Sequence, residues 1–83
     1  MKLNILYFAW VRERVGHSQE TIETDAATVA DLVIELIERD KGYAAAFGDM
    51  SGICVAVDQE LGAITTYLEG SSEVAFFPPM TGG

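Results

Sequence analysis

Only one segment of this chain repeats its apolar residues at helical spacing over about three turns, and that scarcity decides the fold class. Val29, Leu32, Val33, Leu36 and Ile37 recur at the three- and four-residue intervals that lay one apolar stripe along a helix. Thr28 before the stripe and Asp31 three positions on form a capping-box-like pair that fixes the start. Gly42 is the expected terminator, because glycine takes the left-handed conformation at low cost, and residues 43–47 fit a further short helical turn. One long stripe cannot build a helical bundle. It needs a sheet to bury against.

The rest of the chain supplies that sheet. Residues 2–10 alternate at period two, with Leu3, Ile5, Tyr7 and Ala9 on one side and Lys2, Asn4, Leu6, Phe8 and Trp10 on the other. Gly16, His17 and Ser18 read as a turn and residues 19–24 as a second, more polar strand, so an N-terminal β-hairpin is expected. Residues 53–57 form an apolar run suited to the middle of a sheet, residues 58–60 a turn, and residues 61–65 a return strand. In residues 73–77, Val74 and Phe76 share one side while Glu73, Ala75 and Phe77 share the other. Pro78 and Pro79 stop the pairing, since neither offers an N–H and both fix φ. The predicted order is β-β-α-β-β-β: an α+β roll with one main helix packed on a mixed four- to five-stranded sheet. Residues 1–77 make one domain, and residues 78–83 are expected to leave it as an extended, flexible tail.

Length and charge narrow the function. Eighty-three residues support a thin core and leave little room for a deep, dry pocket. Thirteen acidic residues against five basic ones give a net charge of −8, which phosphate backbones and anionic lipid would repel, so neither nucleic acid nor membrane is an expected partner. One cysteine excludes an internal disulfide and any all-cysteine metal site within one chain. The apolar run at residues 5–11 falls well short of the ~20 residues that cross a bilayer. Arg12, Glu13 and Arg14 follow it where a cleavable signal would place small residues, so the expected location is cytoplasmic. Against this acidity, 49% apolar content is high. Lys2 and Asn4 mark as outer the side that also bears Leu6, Phe8 and Trp10, and Glu73 does the same for Phe77. Either the domain covers both faces of the first strand itself, or these groups form a patch for a partner.

Catalytic groups are scarce. His17, the only histidine, reads as a solvated loop residue, and Cys54, inside an apolar run, as a core thiol. Asp49, Asp58 and Glu60 suit turns and have no histidine beside them to complete a metal site. The glycines at 48, 52 and 62 lack the spacing of a phosphate-binding loop. Arg12-Glu13-Arg14 reads as an exposed strand end able to face an acidic groove.

The C-terminal run Pro78-Pro79-Met80-Thr81-Gly82-Gly83 is unusual. The prolines stiffen the exit from the domain, and two residues without Cβ are the thinnest polypeptide there is. Extended, the run reaches ~20 Å, enough to thread a narrow channel in another protein. A free α-carboxylate, with a pKa near ~3.5, is ionised at neutral pH and is a poor electrophile. Conversion to a mixed anhydride with AMP, on an enzyme that supplies ATP and Mg²⁺, would make it reactive. The chain then serves as the substrate end of a reaction catalysed elsewhere.

The strand order with a terminal Gly-Gly resembles the β-grasp, ubiquitin-like sulfur carriers. Glu73-Val74-Ala75-Phe76-Phe77-Pro78-Pro79-Met80-Thr81-Gly82-Gly83 closely resembles the end of the small subunits of molybdopterin synthases, and Leu6-Tyr7-Phe8-Ala9-Trp10-Val11-Arg12-Glu13 is similar to their first strand. One departure is Glu69-Gly70-Ser71-Ser72-Glu73, where that family usually reads Asp-Gly-Asp-Glu. The resemblance implies that a ubiquitin-activating-type enzyme adenylates Gly83, using ATP that the carrier itself does not bind. A sulfur donor then makes the thiocarboxylate, and the large synthase subunit receives the tail of Met80, Thr81 and Gly82. Sulfur passes there to cyclic pyranopterin monophosphate. The resemblance also implies that Phe8, Leu61 and Phe77 dock apolar partners, with Arg12 as a polar contact, and that the chain is not an enzyme on its own. Related carriers for thiamin, cysteine or tRNA thiolation, a ubiquitin-like modifier, and an interaction module with an inert tail remain open.

Overall fold

The computed structural model describes residues 1–79. Five strands, β1 (Lys2–Tyr7), β2 (Gln19–Glu23), β3 (Cys54–Val57), β4 (Glu60–Gly62) and β5 (Glu73–Phe77), form one sheet in the order β2-β1-β5-β3-β4. The central pair, β1 and β5, runs parallel, and every other pairing is antiparallel. Three helices join them: α1 (Ala9–Val15), α2 (Val29–Arg39) and α3 (Lys41–Phe47), followed by a 3₁₀ turn at Met50–Gly52. This is the predicted α+β β-grasp roll, with α2 as its main helix.

Alternation puts Leu3, Ile5 and Tyr7 of β1, Val55 and Val57 of β3, and Val74 and Phe76 of β5 on the inner face. They form one buried cluster with Val29, Leu32, Val33 and Leu36 of α2 and Tyr43, Ala46 and Phe47 of α3. The start of α2 is fixed as its sequence predicts: Thr28 Oγ1 accepts from the Asp31 N–H at 3.3 Å. Two loop carbonyls take further free donors of that first turn, Thr66 O from Val29 N–H at 3.1 Å and Ile64 O from Ala30 N–H at 2.8 Å.

The first strand is shorter than its alternation suggests. It stops at Tyr7, Ala9 takes φ +51°, and residues 9–15 coil into α1, which Gly16 closes at φ +102°. Val11 is buried and Val15 packs on the core one helical turn later, while the Arg14 guanidinium lies 4.5 Å from the Trp10 ring centroid. Trp10 therefore leaves the sheet, and Arg12-Glu13-Arg14 is helix surface rather than a strand end. The expected pairing of the first two strands survives with α1 inserted between them, from Lys2 opposite Glu23 to Leu6 opposite Gln19.

Gly42 does not end α2. Asp40, in extended conformation, ends it and caps α3 by accepting from the Gly42 N–H at 3.1 Å. Glycine is needed there for proximity: a Cβ would lie 2.8 Å from the carbonyl oxygen of Arg14. β4 ends at Gly62, short of residue 65, because the chain bends where Thr66 Oγ1 accepts from the Ala63 N–H at 2.8 Å. The central position expected of residues 53–57 belongs to β5, and β3 lies one strand further out. No helix among the described residues is long and apolar enough to cross a membrane.

Candidate functional site

The register assembles the outer face row by row. Leu6 lies beside Ala75, Ala75 beside Ala56, and Ala56 beside Leu61, which makes one apolar row across four strands. The next row holds Phe77 opposite Cys54, with Phe8 immediately after β1. On the other side of the apolar row stand Asn4, Thr21 and Glu73, a polar boundary. The apolar half thus lies at the end of the sheet where β5 runs into Pro78 and Pro79.

Exposure separates this face from the core. Leu61 is 80% exposed and Phe8 47%, values that in a sheet interior would waste the burial of a large side chain. Phe77 is half-buried and Ala75 nearly covered. Phe8, Ala9, Ala75, Phe77, Pro78 and Pro79 line an open groove of about 480 Å³ with few polar atoms. The Phe8 N–H donates to Phe76 O at 3.1 Å, so the residue continues β1 by one bond before the chain turns at Ala9. Arg12 is exposed on the first turn of α1, its N–H facing Phe8 O at 3.3 Å.

Of the predicted contact residues, Phe8 and Phe77 therefore share one groove, Leu61 extends the same face toward β4, and Arg12 stands beside it on α1. Met80, Thr81, Gly82 and Gly83 lie outside the described residues. Cys54 and Ala56 belong to the face but not to the prediction. Their four-residue run Cys54-Val55-Ala56-Val57 reads as uniformly apolar, yet its alternation sends only the valines inward, so Cys54 is a half-buried outer-face thiol rather than a core one.

A second polar cluster closes the inner side near α3. Glu20 Oε2 accepts from Tyr7 Oη at 2.8 Å and from Tyr43 Oη, and lies 2.9 Å from His17 Nε2. His17 also sets its ring edge-on to Tyr7 and Tyr43 while staying exposed, so the expected solvated loop residue makes contact with this cluster from its rim. Burial by itself pushes the Glu20 carboxyl up, but hydrogen bonds from His17, Tyr43 and Tyr7 together outweigh it and hold the group below its ordinary value. Burial and the Glu20 charge push the Tyr43 phenol up to about 12 and raise Tyr7 strongly. The bonds to Glu20 tie α3 to the sheet. Among the described residues no group of three or more His, Cys, Asp or Glu side chains could hold a metal ion.

Comparison with known proteins agrees with this geometry. Residues 5–83 match the ThiS family. The molybdopterin synthase sulfur carrier subunit of Haemophilus influenzae is 35% identical over 98% of this chain and 99% of its own, and that of Escherichia coli 37% over the same shares. Among solved structures, SAMP1, a small archaeal modifier protein of Haloferax volcanii, superposes with a TM-score of 0.78 at 27% identity, each chain fully covered.

Proposed function

This chain belongs to the ThiS family, and on that premise we propose that it is the sulfur carrier of a molybdopterin synthase. The observation that carries the reading is the conjunction of a family match reaching residue 83 with an apolar outer face, Phe8 and Leu61 exposed and Phe77 half-buried, at the end of the sheet where β5 runs into Pro78.

The chemistry divides between chain and partners. The Gly83 carboxylate attacks the α-phosphate of ATP on an adenylating enzyme, expelling pyrophosphate and leaving an acyl-adenylate. A sulfur donor at the sulfide level displaces AMP and leaves a thiocarboxylate. The outer face then seats the carrier on the large subunit, where the thiocarboxylate sulfur bonds to cyclic pyranopterin monophosphate and water cleaves the resulting acyl–sulfur bond, its oxygen regenerating the carboxylate. Two deliveries supply the dithiolene. Phe8, Phe77 and Leu61 contribute apolar contact, Arg12 a charge at the rim, and Met80, Thr81 and Gly82 the slender lead to the reacting carbonyl. A cytoplasmic site of action fits these soluble partners.

Sulfur transfer reconstituted with the large subunit tests this. Deleting Gly83 is expected to abolish transfer and leave the folded domain intact, because the buried cluster described above runs from Leu3 to Phe76. Transfer by the truncated chain would overturn the mechanism. The likeness to an archaeal modifier favours one second reading, in which the Gly83 carboxyl forms an isopeptide bond to lysine. Covalent adducts on other proteins, in place of a thiocarboxylate, would select it.

A further inference from the structure

We propose that Asp58 is a positioning residue that sets the register of the β3–β4 hairpin and thereby holds Leu61 on the docking face. The proposal rests on the sulfur-carrier reading for its partner and on the geometry of the free chain for everything else.

β3 is registered against β5, and the residues after β4 are held to the start of α2, which leaves the turn as the remaining fixed point of the hairpin. β4 is three residues long and, among the described residues, pairs only with β3. The turn between them places both Asp58, at φ +49°, and Gln59, at φ +70°, in the left-handed region, with no glycine at either position. Such tight hairpins favour Asn, Asp or Gly there, and Gln59 fits poorly. Because side chains alternate along a strand, a slip of one residue would carry Leu61 to the opposite face.

Asp58 supplies what the turn lacks. Its Oδ1 accepts from both the Ser72 N–H and the Glu73 N–H, each at 2.9 Å, and its own N–H donates to Glu73 O at 2.9 Å. The turn is thus bolted to the first residue of β5, the strand that carries Phe77. One carboxylate ties the hairpin bearing Leu61 to the strand bearing Phe77.

Two substitutions separate the clamp from the backbone requirement. Asp58→Asn keeps an acceptor oxygen and tolerates positive φ, whereas Asp58→Gly tolerates positive φ and removes the acceptor. Amide hydrogen exchange on the free chain and affinity for the large synthase subunit are the two readouts. Asp58→Gly is expected to speed exchange at Ser72, Glu73 and Gly62 about tenfold, and to weaken binding by about the same factor. Asp58→Asn should stay within about twofold of the parent in both. Unchanged exchange in Asp58→Gly would overturn the clamp, and faster exchange with unchanged affinity would overturn its role in docking. Failure of the parent chain itself to bind the large subunit would instead strike the sulfur-carrier reading, and the exchange result would still decide the clamp.

Discussion

The two faces of the sheet are built from the same strands and obey opposite rules. On the inner face Phe76 is fully buried, stacked near Tyr7 and edge-on to Phe47, and its apolar surface is used up within the chain. One residue later, Phe77 points outward beside Cys54 into an open groove. Leu61, at 80%, is more exposed still. An isolated domain gains nothing in stability from large apolar groups held in water. Under the proposed function these groups are surface kept for a partner, which would accommodate so high an apolar content in a chain of net charge −8.

Substitutions on either side of this divide should break in different currencies. Phe76→Ala opens a cavity in the core and is expected to cost about 3–5 kcal/mol of folding stability, measured by denaturant unfolding. Phe77→Ala, its neighbour, is expected to weaken partner binding by about 1–3 kcal/mol while changing stability by less than about 1 kcal/mol. If both variants lose mainly stability, the distinction between the faces is wrong.

The Glu20 cluster sharpens the inner half of the comparison through pH. Its carboxyl sits below the ordinary value of 4.5, so the unfolded chain binds the proton more readily and the stabilisation is complete above that value. That stabilisation disappears as pH falls through the lower folded value. Tyr43, raised to about 12, behaves in the opposite sense: its contribution is intact below the ordinary value of 10.0 and is lost as pH rises through 12. Glu20→Gln is therefore expected to cost about 1–2 kcal/mol at neutral pH and to flatten the acid limb of the stability curve. An unchanged acid limb would show that the cluster does not couple α3 to the sheet. The smallest effect belongs to the hairpin edge: Gln59→Gly relieves a strained φ and should raise stability by about 0.5–1 kcal/mol without reducing partner affinity.

How much of this was legible in the sequence depended on the range of the signal. β5 matches its predicted residues from end to end, because Glu73 labels one face and Pro78 marks the stop. The stripe and cap of α2 were equally plain. α1 was not, since Ala9, Trp10 and Val11 fit a period of two as well as a helical turn, and nothing in the sequence announces that an alanine will take φ +51°. Gly16 serves equally as a turn residue and as a helix terminator. Gly42 misled for a different reason: its use depends on the approach of α1, far away in the chain. The contact of the exposed His17 with Tyr43, twenty-six residues on, likewise has no local signal. Within the site, Phe8, Leu61 and Phe77 followed from alternation and resemblance, whereas Cys54 and Ala56 emerged only when the pairing of β3 with β5 was known.

The central claim concerns a chain end that is loaded by one protein and unloaded by another. Intact-mass measurement after incubation with the adenylating enzyme, ATP and a sulfur source addresses it most directly. The account predicts a gain of about 16 Da, one carboxyl oxygen replaced by sulfur, which gives a terminus with the nucleophilic character of a thiolate. A mass that stays unchanged, under conditions that charge an authentic sulfur carrier, would contradict it.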